Sequence, residues 1–432
     1  MRWTFLVFGT VVPLLAAEPI TIRERLSVVD RYHVKTRVEL KGTLTPPPMG
    51  GKPSPAIKME GISAIDYEER ILALGDKGEV SRTARLCNRF DFHRILAGQK
   101  QQIALRPEVK RLVLLRKGHT EIPFSPDGPL TWGELDVIRT DVFVPALLGL
   151  LPPDPVSLGD RWKASEAAVQ ELTDLEKIDQ GHLECRLESV SPGKNRVARV
   201  TFSGTIQGVG EDGPVRHRLD GSYTFAVDDG LLTTLILNGN MTLTSPKGEA
   251  MGTVEGRFAL ERSRTVQATQ LSNEGLKGIS LEPNEENTRL LYLNPLQGIR
   301  FEYPRSWRVA REAEGQIALD GGRGSGLMIT LDPPGKTPTV RQLLEESRQW
   351  MAKNKGTILR EIPVATLRTR PRLEAFSLES KLGGQTFWMD YYLIDQPEGG
   401  ASIAARLLPG ELTQTRREVE SIARSLIRMK KE

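Results

Sequence analysis

The chain has 432 residues, 39% of them hydrophobic and 26% charged, which fits two medium domains with ordinary cores and excludes disorder or a collagen-like fibre. Its 59 basic and 55 acidic side chains leave a net charge of +4, too balanced for the basic face that nucleic acid demands. Two cysteines, Cys87 and Cys185, exclude a disulfide-dense scaffold and a four-thiolate zinc site.

Arg2, the apolar run from Trp3 to Leu15 and the small pair Ala16-Ala17 read as a secretory signal peptide over residues 1–17. The run is short for a bilayer span, and no later stretch approaches roughly 20 consecutive apolar residues. No cysteine follows the small pair to carry a lipid anchor. The sequence therefore predicts an exported protein of the bacterial envelope, periplasmic or extracellular, with no transmembrane span in the mature chain. Export leaves two readings of Cys87 and Cys185 open. They form a disulfide, worth roughly 4 to 5 kcal/mol by chain entropy, or they are two small buried apolar side chains.

Residues 18–268 read as a β-rich domain. Val200, Phe202 and Ile206 alternate with Thr201, Ser203 and Thr205, and Leu219, Tyr223 and Phe225 alternate with Asp220, Ser222 and Thr224. Leu235, Leu237 and Met241 form a third apolar row, and Val254, Phe258 and Leu260 a fourth. Asp228-Asp229-Gly230 and Pro246-Lys247-Gly248 punctuate these segments, so an antiparallel meander with one dry face is predicted. Gly204, Gly221, Gly239 and Gly256 each fall in register with an apolar row, and Gly42 and Gly61 echo them earlier. Glycine inside a strand marks a sharp bend or the close approach of another group. The four glycines thus mark either a sheet curled over the apolar stretch Val142 to Leu151 or a half-barrel with room for an apolar ligand. The proline-rich stretch Thr45 to Ala56 reads as a loop. A curved sheet with such a plug resembles the LolA and LppX lipoprotein-carrier architecture in pattern, without matching residues.

Residues 269–290 lose periodicity and read as a linker; residues 291–432 then alternate strand and helix periods. Thr337-Pro338 predicts a helix start, and Thr415 with Glu418 has capping-box spacing ahead of a closing helix. Leu373–Lys381, Thr386–Ile394 and Ala401–Leu408 read as strands. The segment Gly298 to Trp307, GIRFEYPRSW, resembles the opening strand and turn of the PsbP-like family, which includes DcrB-type domains; Phe301, Tyr303, Pro304 and Trp307 carry the match. The resemblance covers Leu291 to about Met429 and implies an extracytoplasmic binding or accessory role without a shared catalytic set. The fold class that follows is α+β: an N-terminal curved, half-barrel-like antiparallel sheet, then a PsbP-like antiparallel sheet with covering helices.

Motifs for chemistry do not assemble. Gly322, Gly324 and Gly326 precede a strand rather than the helix a dinucleotide site needs. His182 and Cys185 lack a third metal ligand, and His217, between Arg216 and Arg218, reads as lying on a strand's polar side. The sequence thus names no catalytic, cofactor-binding or metal-binding residue. It predicts a non-enzymatic binding or accessory protein whose partner is an apolar small molecule or an envelope protein. Two alternatives stand beside it: a carrier of a lipid-like ligand in the half-barrel, and a hydrolase assembled from distant residues.

Overall fold

The computed structural model describes residues 18–46, 54–118, 120–211, 213–245, 249–265 and 268–430. The leader expected over 1–17 and most of the proline-rich loop lie outside the described residues. The chain divides into two compact units: Met1–Leu105 with Leu114–Glu121 and Arg139–Lys277, and Arg106–Val113 with Ile122–Ile138 and Gly278–Glu432. The α+β class is corrected by the proportions of the elements: 55% of residues are in strands against 15% in helices, so the protein is mainly β. The helical patterns are real but short. The two expected helices are 14 residues each, whereas strands of the large sheet run to 18, longer than their alternation announces.

The strands of the first half are β1 (Arg31–Leu44), β2 (Ile57–Leu74), β3 (Val80–Leu96), β4 (Gln99–Ala104), β5 (Arg111–Lys117), β6 (Thr120–Phe124), β7 (Leu130–Thr131) and β8 (Arg161–Lys163). They are followed by β9 (Lys177–Val190), β10 (Val197–Gly210), β11 (Gly213–Ala226), β12 (Leu231–Thr244) and β13 (Ala250–Arg264). All but β7 form one twelve-stranded sheet in the order β6, β5, β3, β2, β1, β13, β12, β11, β10, β9, β8, with β4 paired to β3. Strands β10 to β13 are the predicted meander, β9 adds a strand beside β10, and β1 closes against β13 with Thr36 opposite Leu260.

One face of this sheet is covered by Asp141 to Leu151, in which Val144–Leu150 is a 3-10 turn that buries Val144, Pro145, Leu147 and Leu150. Trp162 Nε1 and the Tyr223 hydroxyl both donate to the Leu150 carbonyl, at 2.8 and 3.1 Å. Helix Glu166–Thr173 follows, capped by Ser165, and buries Ala168 and Val169.

Several of the glycines stand where a neighbouring strand leaves no room for a side chain. A Cβ at Gly204 would strike the His182 carbonyl, and one at Gly221 the Ile236 carbonyl and the Phe202 ring. Backbone of the neighbouring strand cannot move aside, so Gly204→Ala is expected to destabilise the sheet by about 1 to 3 kcal/mol. At Gly239 a Cβ meets only Leu219 Cδ2, at 3.0 Å, and that end can rotate. Gly239→Ala should therefore shift the urea midpoint much less; equal shifts would contradict this account of the close approach.

In the second unit β14 (Leu290–Asn294) pairs with β15 (Ile299–Tyr303) and, in parallel, with β7. β16 (Arg308–Ala313), β17 (Gln316–Asp320), β18 (Gly326–Asp332), β19 (Thr357–Thr369), β20 (Arg372–Leu382), β21 (Gln385–Asp395) and β22 (Gly400–Leu407) make a seven-stranded sheet in the order β16, β17, β18, β22, β21, β20, β19. Tyr303 and Trp307 are 3% and 1% exposed, and Trp307 Nε1 donates to Glu418 Oε2 at 2.7 Å. Phe301 stacks on Tyr292 at 4.7 Å. The helix predicted after Thr337 is Val340–Lys353, with Thr339 as N-cap and a capping box to Gln342. The closing helix, Leu412–Ser425, begins before its expected start; Thr415 lies inside it, buried, rather than capping it.

Candidate functional site

Directly opposed residues in antiparallel strands share a face, so the registers place side chains in rows across the sheet. The plug lies over the row Ile65, Thr36, Leu260, Leu235, Tyr223, through its bonds to Thr36 and Tyr223. Two residues further along each strand comes the row Phe92, Ser63, Val38, Phe258, Leu237, Gly221, Phe202. The next is Arg94, Gly61, Leu40, Gly256, Gly239, Leu219, Gly204. Beyond it stands Leu96, Met59, Gly42, Val254, Met241, His217, Ile206.

The middle row is glycine at four of seven positions, between two rows of mostly bulky apolar side chains. That makes a furrow. Three of the four glycines singled out in the sequence, Gly204, Gly239 and Gly256, lie in it, joined by Gly61; Gly221 stands one row nearer the plug. Leu40 Cδ2 leans to 2.9 Å from where a Gly256 Cβ would be, and Leu219 does the same over Gly239. At Gly61 nothing comes closer than 3.9 Å, with Leu40 and Phe92 its side-chain neighbours. Val38, Leu40, Met59, Phe92, Leu96 and Met241 are only half-buried, whereas Leu237, Val254 and Phe258 are buried.

His217 is corrected by the same registers. It stands opposite Met241 and is 7% exposed, on the apolar face, while Arg216 and Arg218 point the other way. Burial pushes its imidazole down to about 4. The disulfide reading is also corrected: Cys87 and Cys185 form no disulfide. Cys87 is on β3 and Cys185 on β9, with β2, β1, β13, β12, β11 and β10 between them in the sheet. Cys185 is wholly buried, which pushes its thiol up to about 12, and behaves as a small apolar residue.

Charged groups that no pattern announced fix the plug to the sheet. Arg85 on β3 donates from Nε to Glu69 Oε1 at 2.9 Å and from Nη1 to Asp141 Oδ2 at 2.8 Å, all three side chains at most 1% exposed. Thr36 Oγ1 donates to Asp141 Oδ1 at 3.0 Å, and the Arg85 guanidinium lies 4.3 Å over the Tyr67 ring. Nearby, Arg116 Nη1 bridges Glu121 and Glu171, and Glu171 accepts from the Phe143 amide at 2.5 Å. Burial raises Asp141 to about 6, against the pull of Arg85. Burial, then Glu171, raises Glu121 to about 7. Four carboxyls thus surround two guanidiniums.

The opposite face of the sheet brings His33 Nε2 to 2.8 Å from Asp66, a carboxylate also engaged by Asn88 and Lys35. In the second unit a concavity of about 330 Å³ is lined by Glu346, Ser347, Trp350, Met389 and Tyr391. Gly322–Gly324 is a single 3-10 turn leading into β18. The basic residues of the closing helix are engaged locally, Arg416 with Asp390 and Arg424 with Glu420. Among the described residues no group of three potential metal ligands comes together, and no helix is long and apolar enough to cross a membrane.

No family model and no curated protein matches the chain. Among solved structures it is similar to the cyanobacterial PsbP of Synechocystis sp. PCC 6803, at 11% identity over 32% of this chain and 92% of that one, with a TM-score of 0.26. The Ran-binding protein Mog1p of Saccharomyces cerevisiae is similar at 11% identity over 33% and 96%, again at 0.26. Lipovitellin, from a structure titled for its lipid–protein interactions, is similar at 9% identity over 57% and 26%, at 0.31. At such identities and scores these likenesses assign no function.

Proposed function

We propose that the chain is an exported binding protein whose large sheet takes an apolar, chain-like molecule along the glycine furrow, and that it also carries a PsbP-like accessory domain. The observation that carries this reading is the furrow itself: a row of glycines on the plug-side face, beyond the stretch the plug covers, between apolar rows whose members on β1 to β3 are half-buried. Apolar side chains left half-wet along several adjacent strands favour a partner that dries them. From β3 to β11 the furrow crosses five strand spacings, roughly 24 Å, enough for a long acyl chain. The PsbP-like reading rests on Phe301, Tyr303, Pro304 and Trp307, of which Phe301, Tyr303 and Trp307 are buried.

Binding of a pyrene-labelled long-chain alcohol to the purified chain, followed by fluorescence, tests the furrow. The parent should bind it saturably, and Met241→Glu, which sets a charge on the furrow wall, should weaken binding at least about tenfold. Circular dichroism should show the strand content unchanged. A parent that binds neither this alcohol nor the corresponding acid overturns the proposal, as does a Met241→Glu variant that binds like the parent.

A further inference from the structure

We infer that the molecule held in the furrow is a single-chain acid whose ionised carboxylate is gripped by Arg94; this rests on the furrow reading and names the ligand class for it. Arg94 stands at the β3 end of the glycine row, directly opposite Gly61, a buried position where a Cβ would meet nothing nearer than 3.9 Å. Along β3 it is flanked on the same face by Phe92 and Leu96, and across the strand pair by Gln101 of β4. Its Nε donates to Gln101 Oε1 at 2.6 Å. That bond aims the guanidinium and leaves the two Nη groups, a fork that matches a carboxylate.

Charge on this face is otherwise absent from the furrow and its walls. In the three rows beyond the plug, Arg94 is the charged residue among β1 to β3 and β10 to β13, and Ser63 and His217 are the polar ones. The acids closest to Arg94 in the pairing, Asp91 on β3 and Glu60 beside Gly61 on β2, belong to the opposite face by alternation, as does His93. A cation without an acidic partner, at the end of an apolar furrow, is complementary to an anionic head on an apolar tail. The furrow is one row wide between bulky rows, so it admits one chain rather than two. One guanidinium and one furrow select a fatty-acid-like ligand over a two-chain phospholipid.

The test compares pyrene-labelled hexadecanoic acid with pyrene-labelled hexadecanol on the full chain at about pH 8, where the carboxylic acid is ionised. The parent should bind the acid about ten- to a hundredfold more tightly than the alcohol. Arg94→Gln should bring that ratio close to one, and Arg94→Lys should keep part of it. Arg94 is half-exposed with one hydrogen bond to Gln101, so both variants should fold, and circular dichroism checks this. Equal binding of acid and alcohol by the parent overturns the inference, as does an Arg94→Gln variant that retains the preference. Tighter binding of a two-chain anionic phospholipid than of the acid overturns the single-chain assignment. Failure of the parent to bind either probe instead removes the furrow reading on which the inference rests.

Discussion

Replacing Arg85 by Met is expected to destabilise the large sheet by about 3 to 5 kcal/mol, because the change strands Glu69 and Asp141 in the core without their cation. Both carboxylates are at most 1% exposed, and Glu69 Oε2 has no other partner among the described residues. The cost should fall mainly on the plug, since Asp141 is its first anchor. Urea denaturation read by tryptophan fluorescence of Trp162, which donates to Leu150 at the far end of the plug, reports on that segment. The companion variant is the triple change Arg85→Met, Glu69→Met and Asp141→Leu, which removes the charges together and should recover most of the loss. If the single variant is as stable as the parent, the cluster does not hold the plug. If the triple variant is the less stable of the two, the loss comes from packing rather than from unpaired charge.

The same cluster shows why only part of this protein was legible in its sequence. Strands β10 to β13 alternate strictly, because their plug-side residues are Val200, Phe202, Leu219, Tyr223, Leu235 and their like. The furrow glycines could therefore be read in register, and the rows confirm three of the four in one line. Strands β1 to β3 use the same geometry but bury Thr36, Ser63, Glu69, Thr83 and Arg85 on that face. A buried arginine paired to carboxylates 16 and 56 residues away looks, in sequence, like a surface arginine. Arg94 did leave a signal, as a cation alternating with Phe92 and Leu96, but the weak patterning of the first three strands masked it. The helices Val340–Lys353 and Leu412–Ser425 were legible because amphipathic periodicity is local. The parallel pairing of Leu130 with Leu290 was not, since no local pattern specifies a partner so distant along the chain.

Three groups shifted by burial should give the sheet a pH dependence whose parts oppose each other, and substitution separates them. Glu121 has its carboxyl raised from 4.5 to about 7 in the folded chain, by burial first and Glu171 second. The folded state therefore holds a proton that the unfolded state has lost, so Glu121 contributes stability below about pH 4.5 that disappears as pH rises through 7. Asp141, raised from 3.8 to about 6, acts in the same sense at lower pH. His217, lowered by burial from 6.5 to about 4, works the other way: its stability is present above 6.5 and lost as pH falls toward 4. Each group carries about 1.4 kcal/mol per pH unit within its window, so Glu121 and His217 nearly cancel between pH 4.5 and 6.5. In Glu121→Gln the His217 contribution is less opposed, and stability measured by urea denaturation should rise with pH across that interval relative to the parent, by roughly 3 kcal/mol in all. In His217→Leu the two carboxyls act alone, and stability should fall by roughly 5 to 6 kcal/mol as pH rises from 4.5 to 7. Parent and Glu121→Gln profiles that run parallel would mean that Glu121 titrates as it does in the unfolded chain. The burial that sets the plug would then not reach it.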